Sequence, residues 1–311
     1  MQRWRGLDMV PDGWGRCVVT IGVFDGLHRG HELIVRTAVG RARALRVPAL
    51  MMTFDPHPAE VLRPGSHPPE LTTLRRRADL AEELGVDVFL AMPFTTALQT
   101  TSAESFVHEI LVETLHVAEV VVGEDFRFGH RGAGSLELLV TLGERWGFGA
   151  TGVSLLGDGA MKVSSTYVRA AIAAGDVTAA AAALGRLHRV EGVVVHGDGR
   201  GAGLGIPTAN LDPTPHAAIP ADGVYACWFN LGTRRSPAAV SVGTNPTFEG
   251  KERRVEAFVL DGGGNFYGRR IALDFVERLR GMEKYDAVEA LMAQIEQDVA
   301  RTHEVLGTTP G

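Results

Sequence analysis

The sequence predicts an α/β domain with a parallel sheet over residues 1–185 and a mainly β domain over residues 186–311. Length is the first reason, because 311 residues exceed what one hydrophobic core usually serves. The second is that continuous apolar runs alternate with helix-like segments in the first half, as in a parallel sheet buried on both faces. The third is that short strand-like runs, separated by Gly, Pro and Asp turns, follow Arg189, which is typical of an antiparallel barrel or sandwich.

The first half contains five predicted strands and four predicted helices. The strands are 17–24, 48–54, 86–94, 118–123 and 149–156. The helices are 31–45, 74–85, 101–115 and 135–147. Thr101 and Glu104 have the spacing of a capping box at the start of the third helix. An alanine-rich stretch at 168–185 follows, and its composition favours helix over a flexible linker.

The second half is predicted to be an antiparallel barrel of the six-stranded type that ends in a helix. Its most distinct strand-like runs are 189–197, 223–232, 238–243, 253–262 and 269–281. An amphipathic helix is predicted at 284–307.

Composition and charge exclude several classes of protein. Apolar residues make up 45% and charged residues 22% of the chain, as in ordinary globular proteins. The net charge of −6 argues against a surface that coats nucleic acid or binds an anionic membrane. The two cysteines, Cys17 and Cys227, are far apart and form no Cys-x-x-Cys pair, which indicates a reducing compartment.

Neither an apolar leader nor a run approaching the ~18 apolar residues of a membrane helix occurs in the sequence. We therefore expect a cytoplasmic protein whose partners are small molecules, not nucleic acid or membrane. A homo-oligomer is compatible with the sequence, which does not determine the oligomeric state.

The stretch TIGVFDGLHRGH at 20–31 joins the first predicted strand to the first predicted helix. At the carboxyl edge of a parallel sheet, a helix N-terminus offers N–H groups and partial positive charge to an anion. His28 and His31 are three residues apart, so both side chains can face one ligand, and the helix start favours neutral imidazoles that donate hydrogen bonds. The glycines would let a phosphate approach the backbone closely, namely Gly22, Gly26 and Gly30.

Two other interpretations of this stretch stay open. One is a glycine-rich turn with incidental histidines. The other is a zinc site formed by Asp25, His28 and His31, although Gly30 would be unusual between ligands on a helix. Asp25 itself has two candidate roles, which are to cap the turn or to contact a nucleotide.

The stretch KVSSTYVR at 162–169 is a second candidate anion site. Ser164, Ser165 and Thr166 have the composition of a helix N-cap. Arg169 falls near the start of the same helix, where the helix dipole opposes a cation unless an anion is bound. A plain cap with a solvated arginine is the alternative.

Together, GVFDGLHRGH and VSSTYVR resemble the H-x-G-H and S-S-T-x-x-R signatures of the nucleotidyltransferase superfamily. The resemblance implies a Rossmann-like domain in which His28 and His31 contact ATP phosphates. It implies that Arg169 holds the β- and γ-phosphates as pyrophosphate leaves. It further implies ATP contacts by Gly22, Phe24, Asp25, Gly30, Ser164, Ser165 and Thr166.

Two more stretches resemble the flavin-side segments of bacterial FAD synthetases, TFDPHP at 53–58 and VVGEDFRFGHRGAG at 121–134. Their mixture of aromatic, proline and polar residues suits the apolar slot of an isoalloxazine ring. The resemblance implies flavin contacts by Pro56, His57, Pro58, Asp125, Phe126 and Phe128. Asp125 occupies a position where some relatives carry Asn. A rigid proline turn or a glycine-rich loop is the alternative for either stretch alone.

The stretch GDGRGAGLGIPTANL at 197–211 is similar to the riboflavin kinase signature around Pro-Thr-Ala-Asn. Thr208 and Asn210 supply hard oxygen ligands that suit Mg²⁺, and Pro207 fixes the backbone that precedes them. The resemblance implies that Glu256, a carboxylate within the apolar pattern of 253–262, is the general base on the ribityl hydroxyl. An outward-facing strand glutamate is the alternative. Further ATP or flavin contacts are implied for Gly205, Pro207, Asn245, Arg280 and Glu283.

The glycine-rich part of this stretch can be compared with a dinucleotide-binding fingerprint and with the kinase family's own glycine-rich loop. Gly197, Gly199 and Ala202 fit a G-x-G-x-x-A fingerprint, but no helix pattern follows, so a dinucleotide site is not favoured. Ala202 stands where the kinase family often carries Arg, and Arg200 is the candidate that compensates.

The resemblance to the prokaryotic bifunctional riboflavin kinase/FAD synthetase family covers nearly the whole chain, from Arg16 to about Thr302. It implies a kinase that makes FMN from riboflavin and an adenylyltransferase that makes FAD from FMN. ATP would be the co-substrate of both reactions, with Mg²⁺ as the metal. Two alternatives stay open, an enzyme with one active half and a flavin-binding regulator without turnover.

Overall fold

The computed structural model describes residues 1–154, 163–197, 206–244, 253–260, 264–285 and 287–309. Contacts divide the chain into one unit of Met1–Pro68 with Leu74–Ser164 and a second of Pro69–Thr73 with Ser165–Gly311. The alanine-rich stretch thus groups with the second unit, and the predicted domain boundary at Gly185 stays a prediction.

The first unit is built on a six-stranded parallel sheet, which confirms the predicted α/β class. Its strands are β1 (Gln2–Arg5), β2 (Cys17–Ile21), β3 (Ala49–Asp55), β4 (Val88–Pro93), β5 (Val117–Gly123) and β6 (Gly149–Val153). They lie in the order β1-β4-β3-β2-β5-β6, and each neighbouring pair is parallel. All five residues of β2 are buried, as a strand covered on both faces requires.

The helices of this unit lie between the strands. They are α1 (Arg29–Leu45), α2 (Pro58–Leu62), α3 (Leu74–Glu83), α4 (Thr96–Thr100), α5 (Ala103–Ser105) and α6 (Leu136–Trp146). Short 3₁₀ turns occupy Leu7–Met9 and His130–Gly132. No helix in the described part of the chain combines the length and the apolar character that crossing a bilayer requires.

Several elements of the first unit differ from the sequence prediction, among them α2 and α4, which it did not include. Strand β1 was not predicted, because Trp4 is its one buried residue and four residues with that pattern give no strand signal. The helix predicted at 101–115 is α5 followed by a π-helix at Phe106–Thr114. Its buried pairs, Phe106–Val107 and Ile110–Leu111, are four residues apart, which is about one turn in either kind of helix.

The second unit contains a closed six-stranded antiparallel barrel, which confirms the predicted class. Its strands are β7 (His188–Val195), β8 (Thr208–Pro213), β9 (Gly223–Leu231), β10 (Arg234–Thr244), β11 (Arg253–Val259) and β12 (Arg270–Arg280). They close in the order β10-β11-β8-β7-β12-β9. Large side chains fill the interior, among them Tyr225, Phe229, Leu273 and Phe275.

The described residues of the second unit form three helices, α7 (Ser165–Ala174), α8 (Val177–Leu184) and the C-terminal α9 (Val288–Leu306). The alanine-rich stretch is divided between α7 and α8, because Gly175 is left-handed at φ +80° and Asp176 begins a new helix. The Asp176 side chain accepts a hydrogen bond from Ala179 N–H at 2.8 Å. Strand β8, which contains the Pro-Thr-Ala-Asn residues Thr208 and Asn210, is the barrel strand that the five predicted runs did not include.

Candidate active sites

The turn between β2 and α1 lies at the centre of the carboxyl edge of the parallel sheet. Strand β2 is flanked by β3 on one side and β5 on the other, so the segments that follow these three strands share this edge. This is the position where the strand order reverses and where open parallel sheets bind ligands. The parts of the three candidate stretches that follow β2, β3 and β5, at 22–31, 56–58 and 124–134, therefore share this edge.

The backbone of this turn is unusual. Phe24, Gly26 and Leu27 have left-handed φ angles of 52°, 79° and 39°. Phe24 and Leu27 have a Cβ, and in such residues left-handed angles persist only where contacts with the surrounding structure hold them. Backbone conformations of this kind cluster at binding sites. Gly22 suits a close approach, because a Cβ there would lie 3.1 Å from the buried Phe24 ring, tighter than an ordinary van der Waals contact.

His28 and His31 form one unit at the start of α1. His28 is the N-cap, and its Nδ1 accepts a hydrogen bond from the backbone N–H of His31 at 3.3 Å. The two rings are stacked, with centroids 3.7 Å apart and planes 16° from parallel. Because Nδ1 accepts, the donor of the neutral His28 ring is Nε2–H. Gly30 is the second residue of α1, between the two histidines.

Asp25 is buried in the same turn and is paired with a cation. It is 2% exposed, and its Oδ1 lies 3.5 Å from a terminal nitrogen of Arg77 on α3, which is 4% exposed. Arg77 also donates to Thr53 Oγ1 at 3.2 Å, and Thr53 Oγ1 donates to the Val23 carbonyl at 2.8 Å. These contacts tie Asp25 to α3, and its two candidate roles, to cap the turn or to contact a nucleotide, stay predictions.

The stretch after β3 forms the short helix α2. His57 is its N-cap, and His57 Nδ1 accepts a hydrogen bond from Ala59 N–H at 3.1 Å. Pro58 is the first helical residue, where its missing N–H costs nothing. Pro56 follows a cis peptide bond with Asp55 and is exposed.

The stretch after β5 places its two phenylalanines differently. Phe126 is half-buried and stacks on Phe128 with ring centroids 5.6 Å apart, while Asp125 is exposed. Phe128 is buried in the core against Phe106 of the π-helix. A Cβ at Gly134 would lie 2.6 Å from the Phe128 ring, so glycine is required there. Phe128 stabilises this loop, and its contact with a flavin stays a prediction.

The serine-threonine motif lies at the start of α7. Ser164 precedes the helix in the first unit, whereas Ser165, Thr166 and Arg169 belong to the second. Arg169 is half-buried, and its Nε donates to the Pro69 carbonyl at 2.8 Å. The expected convergence of Arg169 with the histidines of the first unit stays a prediction.

In the barrel, the candidate kinase residues share one face of adjacent strands. Glu256 on β11 is directly opposite Asn210 on β8 and directly opposite Ser241 on β10. Thr208 is two residues before Asn210, so both side chains point to the same face of β8. The antiparallel register therefore brings Thr208, Asn210 and Glu256 together.

A cavity of about 300 Å³ opens between this face and helix α9. Its wall combines apolar side chains with a few polar ones, as small-molecule sites do. The lining residues include Ile206, Thr208, Val224, Ser241, Glu256, Phe258, Arg280, Met282, Glu283, Tyr285, Leu291, Ile295 and Asp298. A second cavity of about 170 Å³ is lined by residues that include Pro207, Thr208, Phe266 and Tyr267. Thr208 thus borders both cavities.

Arg280 is held in the wall of the larger cavity by Asp298 of α9. Two guanidinium nitrogens lie 2.9 and 2.7 Å from the two Asp298 carboxylate oxygens. This hydrogen bonding raises the pKa of Arg280 above its ordinary value, and burial opposes the shift. Glu283 is exposed at the rim and accepts a hydrogen bond from the Tyr285 hydroxyl at 2.9 Å.

The residues predicted to hold Mg²⁺ fit a hard cation. Thr208 and Asn210 offer a hydroxyl and an amide oxygen two residues apart on one strand face. Gly197 provides space for the amide, because a Cβ at Gly197 would overlap the Asn210 side chain. Within the described ranges, no group of three or more His, Cys, Asp or Glu side chains is arranged to hold a metal ion.

Several predicted residues lie outside the described part of the chain. They are Gly205 and Asn245 among the candidate contacts, and Gly199, Arg200 and Ala202 of the glycine-rich stretch. Their predicted roles stay predictions.

The sequence interpretation missed Arg77 and Asp298. Neither residue was singled out among the candidate site residues. Helical spacing nevertheless places Arg77 in line with Leu74, Ala78 and Ala81, the apolar stripe of α3. Asp298 is likewise in line with Leu291, Ile295 and Thr302 on α9. A charged residue on an apolar stripe is the signal that could have identified them.

Comparison with known proteins identifies both halves. Residues 11–167 match the family described as FAD synthetase, and residues 184–306 match the family described as riboflavin kinase. The bifunctional riboflavin kinase/FMN adenylyltransferase of Escherichia coli (strain K12) is 35% identical over 294 residues, 94% of each chain. The enzyme of that name from Pseudomonas fluorescens is 36% identical over 301 residues, 96% of each chain.

A solved structure has the same fold over nearly its full length. It is described as a macrolide-efflux protein from Streptococcus pneumoniae, and it is 30% identical with a TM-score of 0.88. The match covers 97% of this chain and 99% of that one. Both family matches and the curated relatives agree on the same pair of domains. The chain therefore belongs to the bifunctional riboflavin kinase/FMN adenylyltransferase family, with the FAD synthetase domain N-terminal and the riboflavin kinase domain C-terminal.

Proposed function

We propose that this chain makes FMN and then FAD in two consecutive ATP-dependent reactions. In the barrel, the terminal phosphoryl group of ATP passes to the ribityl hydroxyl of riboflavin and ADP leaves. In the α/β unit, an oxygen of the FMN phosphate attacks the α-phosphorus of a second ATP and pyrophosphate leaves. Family membership, with coverage of 94% to 96% of the compared chains, supports both activities on one chain.

One observation carries the placement of the kinase reaction. Thr208 borders both the cavity of about 300 Å³ and the cavity of about 170 Å³. Glu256 lines the larger cavity, so a flavin there would have its hydroxyl near the carboxylate, with ATP on the far side of Thr208. Glu256 is then the general base that takes the hydroxyl proton as the new O–P bond forms. Arg280, held by Asp298, orients the flavin in this cavity.

Mg²⁺ would be held by Thr208 and Asn210, whose oxygens suit it, and would neutralise phosphate charge. The contribution of the chain is positioning. Asn210 is fixed against Gly197, and Pro207 limits the freedom of the backbone that leads into Thr208.

In the α/β unit, the stacked histidines are the proposed phosphate donors. His28 presents Nε2–H, and α1 adds its N-terminal amides and partial positive charge. These hydrogen bonds strengthen as negative charge grows on the phosphoryl oxygens. A phosphate monoester is already largely ionised at pH 7, so this reaction needs no strong general base. The ATP contacts that the family resemblance implies for Ser164, Ser165, Thr166 and Arg169 stay predictions, and the stretches after β3 and β5 are the proposed flavin contacts.

Product analysis tests this function. The full chain, incubated with riboflavin, ATP and Mg²⁺, should form FMN first and FAD later in a chromatographic time course, with ADP and pyrophosphate as co-products. Accumulation of FMN without FAD, or formation of FAD only from supplied FMN, would show one active half. Retained flavin without ADP or pyrophosphate release would show a binding protein and contradict the proposal.

A further inference from the structure

Arg77 lies outside every motif that identifies the family, yet it is a buried cation in contact with Asp25 of the proposed ATP turn. We propose that Arg77 is a positioning residue for adenylyl transfer, which holds the β2–α1 turn in the conformation that presents His28 and the first amides of α1. This inference rests on the proposed function of that turn as the ATP-phosphate site.

The contacts of Arg77 connect three separate segments of the first unit. One terminal nitrogen lies 3.5 Å from Asp25 in the turn, and the other donates to Thr53 on β3 at 3.2 Å. The Thr53 hydroxyl accepts this hydrogen bond from Arg77 and donates its own to the Val23 carbonyl at 2.8 Å, so Arg77 is linked to the turn through Thr53 as well. The guanidinium on α3 therefore holds the turn at two points, on either side of Phe24.

The turn needs such a constraint because its backbone is strained. Phe24 and Leu27, on either side of Asp25, have left-handed φ angles of 52° and 39°, which cost free energy in residues with a Cβ. That conformation persists only where contacts on the surrounding structure outweigh the cost. Asp25 is the residue between them that carries a charge-assisted contact to another element.

Burial makes the Arg77 contacts strong and specific. Arg77 is 4% exposed, Asp25 is 2% exposed and Thr53 is 0% exposed. In this environment water cannot replace a lost partner, so removal of either charge takes a close counter-charge away from a buried group. The guanidinium is suited to the task because its planar fork reaches a carboxylate and a hydroxyl together, which a lysine ammonium at the same site does less well.

The turn ends at His28, the N-cap of α1, so a displacement of Asp25 would move the phosphate donors directly. Misplacement of reacting groups by about 1 Å can cost on the order of 100-fold in rate. Arg77 touches no substrate in this scheme. It acts through Asp25 and the backbone.

The test measures steady-state FAD formation from FMN and ATP in the full chain with Arg77→Met, Arg77→Lys, Asp25→Asn and the double variant Asp25→Asn/Arg77→Met. Arg77→Met should raise KM for ATP and lower kcat, with a combined loss of about 100-fold in kcat/KM for ATP. Arg77→Lys should show a smaller loss, because it keeps the charge beside Asp25. The double variant should lose no more than the worse single variant, since the two residues act as a unit.

Two controls separate positioning from stability. FMN formation by the same chain should stay unchanged, because the kinase residues lie in the other unit. Arg36→Met removes an exposed arginine from α1, paired with Glu32 at 2.8 Å, and should leave FAD formation unchanged. A variant that merely unfolds a fraction of the molecules lowers kcat in proportion and leaves KM for ATP as it was.

An unchanged KM for ATP in Arg77→Met, with kcat lowered only by the unfolded fraction, would overturn the inference. If Arg77→Met does not fold, Arg77→Lys decides in the same way. His31→Ala in the same assay distinguishes failure of the Arg77 inference from failure of the proposed ATP site. If His31→Ala is impaired and the Arg77 variants are not, only the role of Arg77 fails; if His31→Ala has normal FAD formation, the turn is not the ATP site and both proposals fail.

Discussion

The Nδ1 atom of His28 accepts a hydrogen bond from the backbone N–H of His31 at 3.3 Å, and the two imidazole rings stack with centroids 3.7 Å apart. The first contact assigns the His28 proton to Nε2, and the second fixes the orientation of both rings. In the proposed function, the pair is a preorganised set of hydrogen-bond donors at a helix N-terminus, the arrangement that a phosphoryl group with growing negative charge favours.

Replacement of one of these donors should affect one reaction only. His31→Ala should lower kcat for FAD formation by about 10²–10³-fold, the usual cost of one lost donor to a developing charge. FMN formation should be nearly unchanged in the same preparation, measured by chromatography. Leu33→Ala, at an exposed position on the same helix, is the matched control. Loss of both activities in a folded protein would contradict the division of labour.

Removal of the proposed general base should give the reverse result. Glu256→Gln should lower FMN formation by about 10²–10⁴-fold and leave FAD formation from supplied FMN intact. Glu277→Gln on strand β12, whose partner is the exposed Arg301, provides the same chemical change away from the cavity. If Glu256→Gln keeps the wild-type rate of FMN formation, the carboxylate is not the base.

The glycine that accommodates Asn210 should be sensitive to a single methyl group. Gly197→Ala would force the Asn210 amide to move, at a cost of about 1–3 kcal/mol. We expect slower FMN formation and a higher Mg²⁺ concentration for half-maximal rate, measured by magnesium titration. Gly15→Ala, where nothing lies within 4 Å of the added group, should change neither quantity. A normal magnesium titration in Gly197→Ala would argue against Asn210 as a ligand.

Loss of the partner of Arg280 should weaken flavin binding and the docking of α9. Asp298→Asn removes the charge from a nearly buried pair, so we expect about 1.5–3 kcal/mol lower stability of the barrel unit. KM for riboflavin should rise about tenfold, which corresponds to about 1.4 kcal/mol. Glu296→Gln, at an exposed position on the same helix, is the control for thermal melting and kinetics. An unchanged KM for riboflavin would remove Arg280 from the flavin site.

The two cysteines should be inert in the native protein. Burial raises the pKa of the Cys17 thiol from 9.0 to about 12 and raises that of Cys227 well above 9.0. Because a raised thiol pKa leaves less thiolate at any given pH, both should react negligibly with a thiol reagent at pH 8. Both should react at ordinary rates after denaturation. Rapid labelling of the folded protein at pH 8 would show that one site opens to solvent.

The central strands of both units were predictable from sequence because long apolar runs leave few alternatives. Cys17–Ile21 is buried on both faces and reads as a strand without any tertiary information. The short edge strand Gln2–Arg5 does not, because its pairing with Val88–Pro93 depends on a partner 86 residues away. The strand that begins at Thr208 was recognised as a motif and not as a strand, since its half-buried polar residues break the apolar pattern.

By itself, the sequence determined the two fold classes and the residue types of both sites, because periodicity and motif spacing are local properties of the chain. Tertiary structure decided which side chains meet. The antiparallel register placed Glu256 opposite Asn210, and barrel closure with α9 formed the cavity that both Glu256 and Arg280 line. Only packing of α3 against the sheet showed that Arg77 faces Asp25 and not solvent. Contacts between residues distant in the chain depend on how whole elements pack, and no local pattern encodes that.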